Sequence, residues 1–187
     1  VRFSQPDGTV NVETVAGLLN ERTRVLAISW VAFHTGWIAP LAQLAARCRD
    51  NGTLLVVDAI QGLGVLPMRM RAVGIDAVVA DSHKWLLGPE GIGLMATTPK
   101  LRNRLRPVLS GWRNVKLNPG DYFLNQAEHL ENGRRFEPGA TNEAGVAGLA
   151  AALDLISTVE PERSCSFSTT PTPLRICGSR LANISRR

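Results

Sequence analysis

The chain has 187 residues, of which 44% are hydrophobic and 20% charged, and its formal net charge is +5. These values are typical of a soluble globular domain, and no apolar run approaches the ~20 residues that a membrane-spanning helix needs. The excess positive charge lies in residues 163–187, which hold five arginines and no acid, so residues 1–162 are balanced at 16 basic and 16 acidic residues. A neutral globular part without a nucleic-acid-binding motif argues against a specific nucleic-acid partner.

Apolar periodicity predicts helices and strands that alternate along residues 11–158. The predicted strands cover residues 25–30, 54–57, 77–80 and 92–96. The predicted helices cover residues 11–20, 40–51, 68–73, 99–106 and 142–158, and residues 107–137 are mostly loop. Continuous apolar strands alternating with helices are typical of parallel sheets buried on both faces. We therefore predict an α/β fold with a mostly parallel sheet flanked by helices, whose last strand is antiparallel because the connection before it is short.

The composition changes after residue 160 to Ser, Thr, Pro and Arg without apolar periodicity. We predict a domain at residues 1–160 and a disordered basic tail at residues 161–187. Cys48, Cys165 and Cys177 form no CxxC pair and no Cys/His ligand spacing, which indicates neither a metal site nor a disulfide framework. With no secretory segment at the start of the chain, we expect a cytoplasmic location.

Reactive side chains follow two of the predicted parallel strands. Asp58 ends the strand LLVV, and Lys84 follows the strand AVVA with Ser82 and His83 before it. Because ligands of open parallel sheets bind beyond the carboxyl ends of the strands, we expect Asp58 and Lys84 to lie in one crevice. These groups suit the cofactor pyridoxal phosphate (PLP). A lysine can form a Schiff base with it, an acid can bind its pyridine nitrogen, and hydroxyl and imidazole groups can bind its phosphate.

Two kinds of nucleotide-binding site, a P-loop and a dinucleotide-binding turn, fit the sequence less well than a PLP site. An acid that ends an apolar strand is also found in P-loop enzymes, but the chain contains no GxxxxGK[ST]. The GLG of residues 62–64 lacks the GxGxxG spacing of a dinucleotide-binding turn.

The segment VVDAIQGLGVLPMRMRAVGIDAVVADSHKWLLGPEGIGLM, residues 56–95, resembles the core of the class V aminotransferases. That family includes cysteine desulfurases, selenocysteine lyases, isopenicillin N epimerase and kynureninase. Its paired signature is D-x-x-Q followed by HK and GPxGIG, and the resemblance covers roughly residues 1–158. It implies a partial large domain of a fold-type I PLP enzyme.

The same resemblance implies the roles of the site residues. Lys84 corresponds to the catalytic lysine that forms the Schiff base, and Asp58 to the partner of the pyridine nitrogen. Gln61 corresponds to the amide on the cofactor's ring hydroxyl, and His83 to a ligand on the phosphate side. We expect Ser82 to take over a phosphate contact, because Asp81 stands where desulfurases often have serine and an acid would repel phosphate.

The resemblance leaves the reaction open among desulfuration, epimerisation, transamination and lyase chemistry on a small amino acid. Phe33 and Ala140 depart from the desulfurase pattern and favour an epimerase-like or uncharacterised branch over a housekeeping desulfurase. The loop around Gly139 meets the partner's cofactor phosphate in relatives, which implies a homodimer when the enzyme is intact. The alternative is a truncated or degenerate remnant that keeps the fold without independent catalytic activity, and we expect this chain by itself to be inactive.

Overall fold

The computed structural model describes residues 9–117 and 128–158. Its strands are β1 (Val25–Ser29), β2 (Leu54–Asp58), β3 (Ala77–Asp81) and β4 (Gly93–Thr97). Its helices are α1 (Val12–Leu18), α2 (Leu41–Asn51), α3 (Met70–Val73), α4 (Pro99–Arg104) and α5 (Glu143–Thr158), with a 3₁₀ helix at Gly133–Phe136. None of these helices combines the length and apolar character needed to cross a membrane. The predicted tail and the predicted boundary at residue 160 lie outside the described residues.

The four strands form one mixed sheet in the order β1-β2-β3-β4. β1 pairs with β2 and β2 with β3 in parallel, whereas β4 pairs with β3 antiparallel. Both features confirm the prediction from the sequence. The parallel pairs place the carboxyl ends of β1, β2 and β3 at one edge of the sheet.

Helix α2 covers one face of the sheet. Its buried residues Leu41, Leu44, Ala45 and Cys48 recur at helical spacing and pack with Leu55 and Val57 of β2 in one hydrophobic core. Pro40 precedes the first turn, and Gly52 ends the helix in the left-handed conformation at φ 72°. Glycine adopts that conformation without the steric cost that a Cβ imposes, and the helix ends after residue 51, as predicted.

The opposite face of the sheet is more exposed among the described residues. Because side chains alternate along each strand, this face carries Val25, Val56 and Met95, and it carries Asp58 at its carboxyl end. Val25 and Met95 are each about half exposed, and Asp58 is exposed as well. The predicted acid therefore lies on the accessible face rather than in the core.

Candidate functional site

The three parallel strands end together, with Ser29, Asp58 and Asp81 as their last residues. Backbone hydrogen bonds continue the pairing past the strand ends: the Trp30 N–H donates to the Asp58 carbonyl at 2.8 Å, and the Ala59 N–H donates to the Val79 carbonyl at 2.8 Å. Lys84 follows β3 by three residues. The fold thus brings Asp58 and the segment 82–84 to one end of the sheet, as predicted.

Asp58 and Lys84 both carry polar atoms that are available to a ligand. The Asp58 Oδ1 accepts a hydrogen bond from the Ile60 N–H at 3.0 Å, which fixes the carboxylate at the start of the following loop. Its Oδ2 has no hydrogen-bond partner in residues 9–117 and 128–158. Lys84 is half-buried, and within the same residues its amine forms no ion pair or hydrogen bond. A carboxylate and an amine at one sheet edge can therefore both engage a bound molecule.

Ser82 is fully buried and organises the loop that carries Lys84. Its hydroxyl donates to the Pro89 carbonyl, and its own carbonyl accepts from the Gly88 N–H at 3.0 Å. A Cβ added at Gly88 would lie 2.9 Å from the Ser82 Cβ, so the two ends of the loop are in tight contact. The hydroxyl predicted to meet a phosphate is, in this structure, engaged inside the loop.

Asp81 and His83 are in contact at the surface of the site. The Asp81 Oδ2 lies 3.3 Å from the His83 Nδ1, and its Oδ1 accepts from the Ser82 N–H at 2.9 Å. The Asp81 carboxylate therefore lies between the Ser82 backbone and the His83 ring, and His83 is exposed beside Lys84.

The loop after β2 fits closely between its two neighbours. A Cβ added at Gly62 would lie 2.6 Å from the Trp30 ring, and one added at Gly64 would lie 2.2 Å from the Trp85 carbonyl oxygen. Gly64 also has φ 104°, a conformation that L-residues rarely adopt. Glycines at these positions therefore permit a packing of the loops that larger residues would prevent.

The close packing places Gln61 against Trp85. The Trp85 Nε1 donates to the Gln61 Oε1 at 3.2 Å. Gln61 is one of the site residues predicted from the sequence, whereas Trp85 is not among them, and Trp85 is more than one third exposed. Nothing in the local sequence signals this contact, because it joins two loops that are 24 residues apart.

Asn142 is a second residue that is not among the predicted site residues. Its Oδ1 accepts from the Gly145 N–H at 2.9 Å and caps α5, while its Nδ2 donates to the Gly91 carbonyl at 3.1 Å. One side chain thereby joins α5 to the loop that leads into β4. An asparagine directly before an apolar helix is the available sequence signal, and it predicts only the cap.

Comparison with known proteins gives consistent matches. The sequence matches the family model for aminotransferase class-V over residues 3–169. A cysteine desulfurase of Klebsiella pneumoniae subsp. pneumoniae is 37% identical over 155 residues, which are 81% of this chain and 36% of that protein. The chain thus spans about a third of the length of this curated relative.

Solved structures match over a similar share of the chain. The cysteine desulfurase CsdA from Escherichia coli superposes with a TM-score of 0.76 at 27% identity, covering 84% of this chain and 38% of that one. A C-DES variant with glycine covalently linked to its PLP cofactor has a TM-score of 0.70 at 28% identity, covering 77% of this chain and 38% of that one.

Proposed function

The chain belongs to the class-V aminotransferase family, and from this premise we propose that it forms the PLP-binding core of an enzyme acting on a small amino acid. The observation that carries the proposal is the arrangement of Asp58, Gln61, His83 and Lys84 around the carboxyl edge of one sheet. Relatives named as cysteine desulfurases make cysteine the first substrate to test. Desulfuration, epimerisation, transamination and lyase chemistry are the outcomes that a substrate screen would separate.

The donors at the site fit PLP chemically. PLP, when bound, supplies a conjugated pyridine ring that accepts electrons from a bond broken at the amino acid's Cα. Lys84 would hold the cofactor through a Schiff-base link, for which its amine must lose a proton. The free Oδ2 of Asp58 would hold a proton on the pyridine nitrogen.

The remaining polar groups would orient the ring. The Gln61 amide faces the loop that carries Lys84, as a ligand of the ring hydroxyl should. We assign the phosphate contact to His83, as the resemblance implies, because its exposed imidazole lies directly before Lys84 at the same end of the sheet. A direct phosphate contact of Ser82 stays a prediction, and its hydroxyl would first have to leave the Pro89 carbonyl.

Borohydride trapping tests the proposal with two internal controls, because the chain has only three lysines, Lys84, Lys100 and Lys116. After incubation with stoichiometric PLP and reduction, we expect the label on the Lys84 peptide. Lys100 is exposed and reports nonspecific reaction. The hydrogen bond to Glu128 raises the pKa of Lys116, and Glu131 adds to the effect, so Lys116 should react least.

Two variants complete the test. Lys84→Arg should remove the specific label, whereas Lys100→Arg should leave it intact. Asp58→Asn should keep the label and, in a chain extended to the length of the curated relatives, should slow turnover selectively, since the pyridine nitrogen loses its charged partner. Labelling of Lys100 at the same rate as Lys84 would end the PLP assignment.

Assembly and location are further proposals. We propose a homodimer, as the resemblance around Gly139 implies, and sedimentation across a range of concentrations would test it. A cytoplasmic location stays a prediction.

A further inference from the structure

We propose that Trp85 is a positioning residue that orients the Gln61 amide, so that its NH₂ group rather than its oxygen faces the ligand. The inference deepens the proposed function and rests on it for the identity of the ligand. The hydrogen bond itself can be tested in the cofactor-free protein.

The chemistry of the indole determines which amide atom it meets. An indole N–H donates and cannot accept, so it selects the oxygen of a neighbouring amide. The Trp85 Nε1 lies 3.2 Å from the Gln61 Oε1, which directs the Gln61 Nε2 away from the indole. A glutamine without such a partner can rotate its amide and present either atom.

Both members of the pair are held by their backbones. The Ala59 carbonyl accepts from the Gly62 and Leu63 N–H groups at 2.9 and 2.8 Å, which closes a tight turn around Gln61. On the other loop, Leu86 is buried next to Trp85, and the Trp85 carbonyl abuts Gly64. The contact therefore joins two constrained loops rather than two mobile side chains.

Amide orientation affects the charge that the site favours. An NH₂ group that donates to a ring oxygen favours the deprotonated, anionic form of that oxygen. An amide oxygen in the same place would repel that form. Trp85 thus contributes to cofactor binding through Gln61, without touching the cofactor in this scheme.

NMR of the cofactor-free full chain tests the contact directly. The chain has four tryptophans, so four indole N–H signals are expected, and Trp85→Phe identifies one of them. Gln61→Met removes the acceptor at similar volume and should shift this signal and speed its hydrogen exchange, while the other three stay in place. Gln61→Glu keeps an acceptor and should retain the protection. If Gln61→Met changes neither the chemical shift nor the hydrogen exchange of the Trp85 indole N–H, the proposal is wrong.

Titration with PLP tests the consequence. Trp85→Phe should weaken binding about 3- to 10-fold, the range that one hydrogen bond supports, and raise the pH midpoint of the bound cofactor's absorbance change. Trp112→Phe, a control at a more exposed indole, should change neither. If wild type binds PLP and Trp85→Phe binds and titrates identically, the positioning role is wrong. If wild type captures no PLP at Lys84, the proposed function fails, and the NMR result still decides the orientation of Gln61.

Discussion

Gly64→Ala should be far more damaging than an alanine at another glycine with positive φ. The added Cβ would lie 2.2 Å from the Trp85 carbonyl oxygen, 2.7 Å from its carbon and 3.2 Å from the Leu86 nitrogen. All three are backbone atoms, so no side-chain rotation relieves the overlap. The loop that carries Lys84 would have to move by about 1 Å to restore an ordinary contact.

Gly52→Ala provides the matched control. Gly52 also has positive φ, at 72°, but a Cβ added there meets no atom within 4 Å. Its cost should therefore be conformational alone, about 1 kcal/mol. Gly64→Ala adds the steric overlap to a conformational cost of at least that size, and we expect a loss of about 3–5 kcal/mol.

Urea unfolding of the full chain measures both free energies of unfolding, and trapping of PLP at Lys84 measures the effect on the site. We expect slower trapping in Gly64→Ala only. Equal destabilisation by the two substitutions would refute the close contact between Gly64 and the Trp85 backbone. Unchanged trapping in a strongly destabilised Gly64→Ala would show that this contact stabilises the fold without affecting the reactivity of Lys84.

Three further predictions concern stability. Burial, with Asp76 adding to it, raises the pKa of Cys48 from 9.0 to about 11. The stability advantage of wild type over Cys48→Ala should thus be full below pH 9 and fall by roughly 2–3 kcal/mol as pH approaches 11, measured by urea unfolding across pH. Leu87 is exposed with φ 55°, so Leu87→Gly should leave the melting temperature nearly unchanged, whereas Leu155→Gly in α5 should lower it. Asn142→Ala should cost about 1–2 kcal/mol in urea unfolding through the helix cap and the bond to the loop before β4, and a loss below 0.3 kcal/mol would contradict this.

The direction of the strands could be predicted because local signals in the sequence were strong and mutually consistent. The apolar runs at 54–57 and 77–80 are continuous, which is typical of parallel strands, and the helix between them fits a parallel crossover. The short connection before β4 permits only an antiparallel return. Placement of Asp58 and Lys84 at one edge followed from that topology alone.

Contacts between the loops could not be predicted in the same way. The hydrogen bond from Trp85 to Gln61 depends on φ 104° at Gly64 and on the fit of Gly62 against Trp30, which are properties of the folded backbone. A sequence motif shows that glycines are present, but it does not show which atoms of other loops lie close to them. The orientation of the Gln61 amide therefore depends on the folded conformation of both loops and could not be predicted from the sequence.

The different environments of Asp81 and Ser82 follow from the alternation of side chains between the two faces of β3. This alternation continues for one residue past the end of the strand. Val78 and Ala80 point to the face that packs on α2, so the next residue of that series, Ser82, is buried with them. Asp81 instead shares a face with Val79, which pairs with Asp58. The polar run after the strand thus divides into a buried hydroxyl that closes the loop and an accessible carboxylate that binds His83.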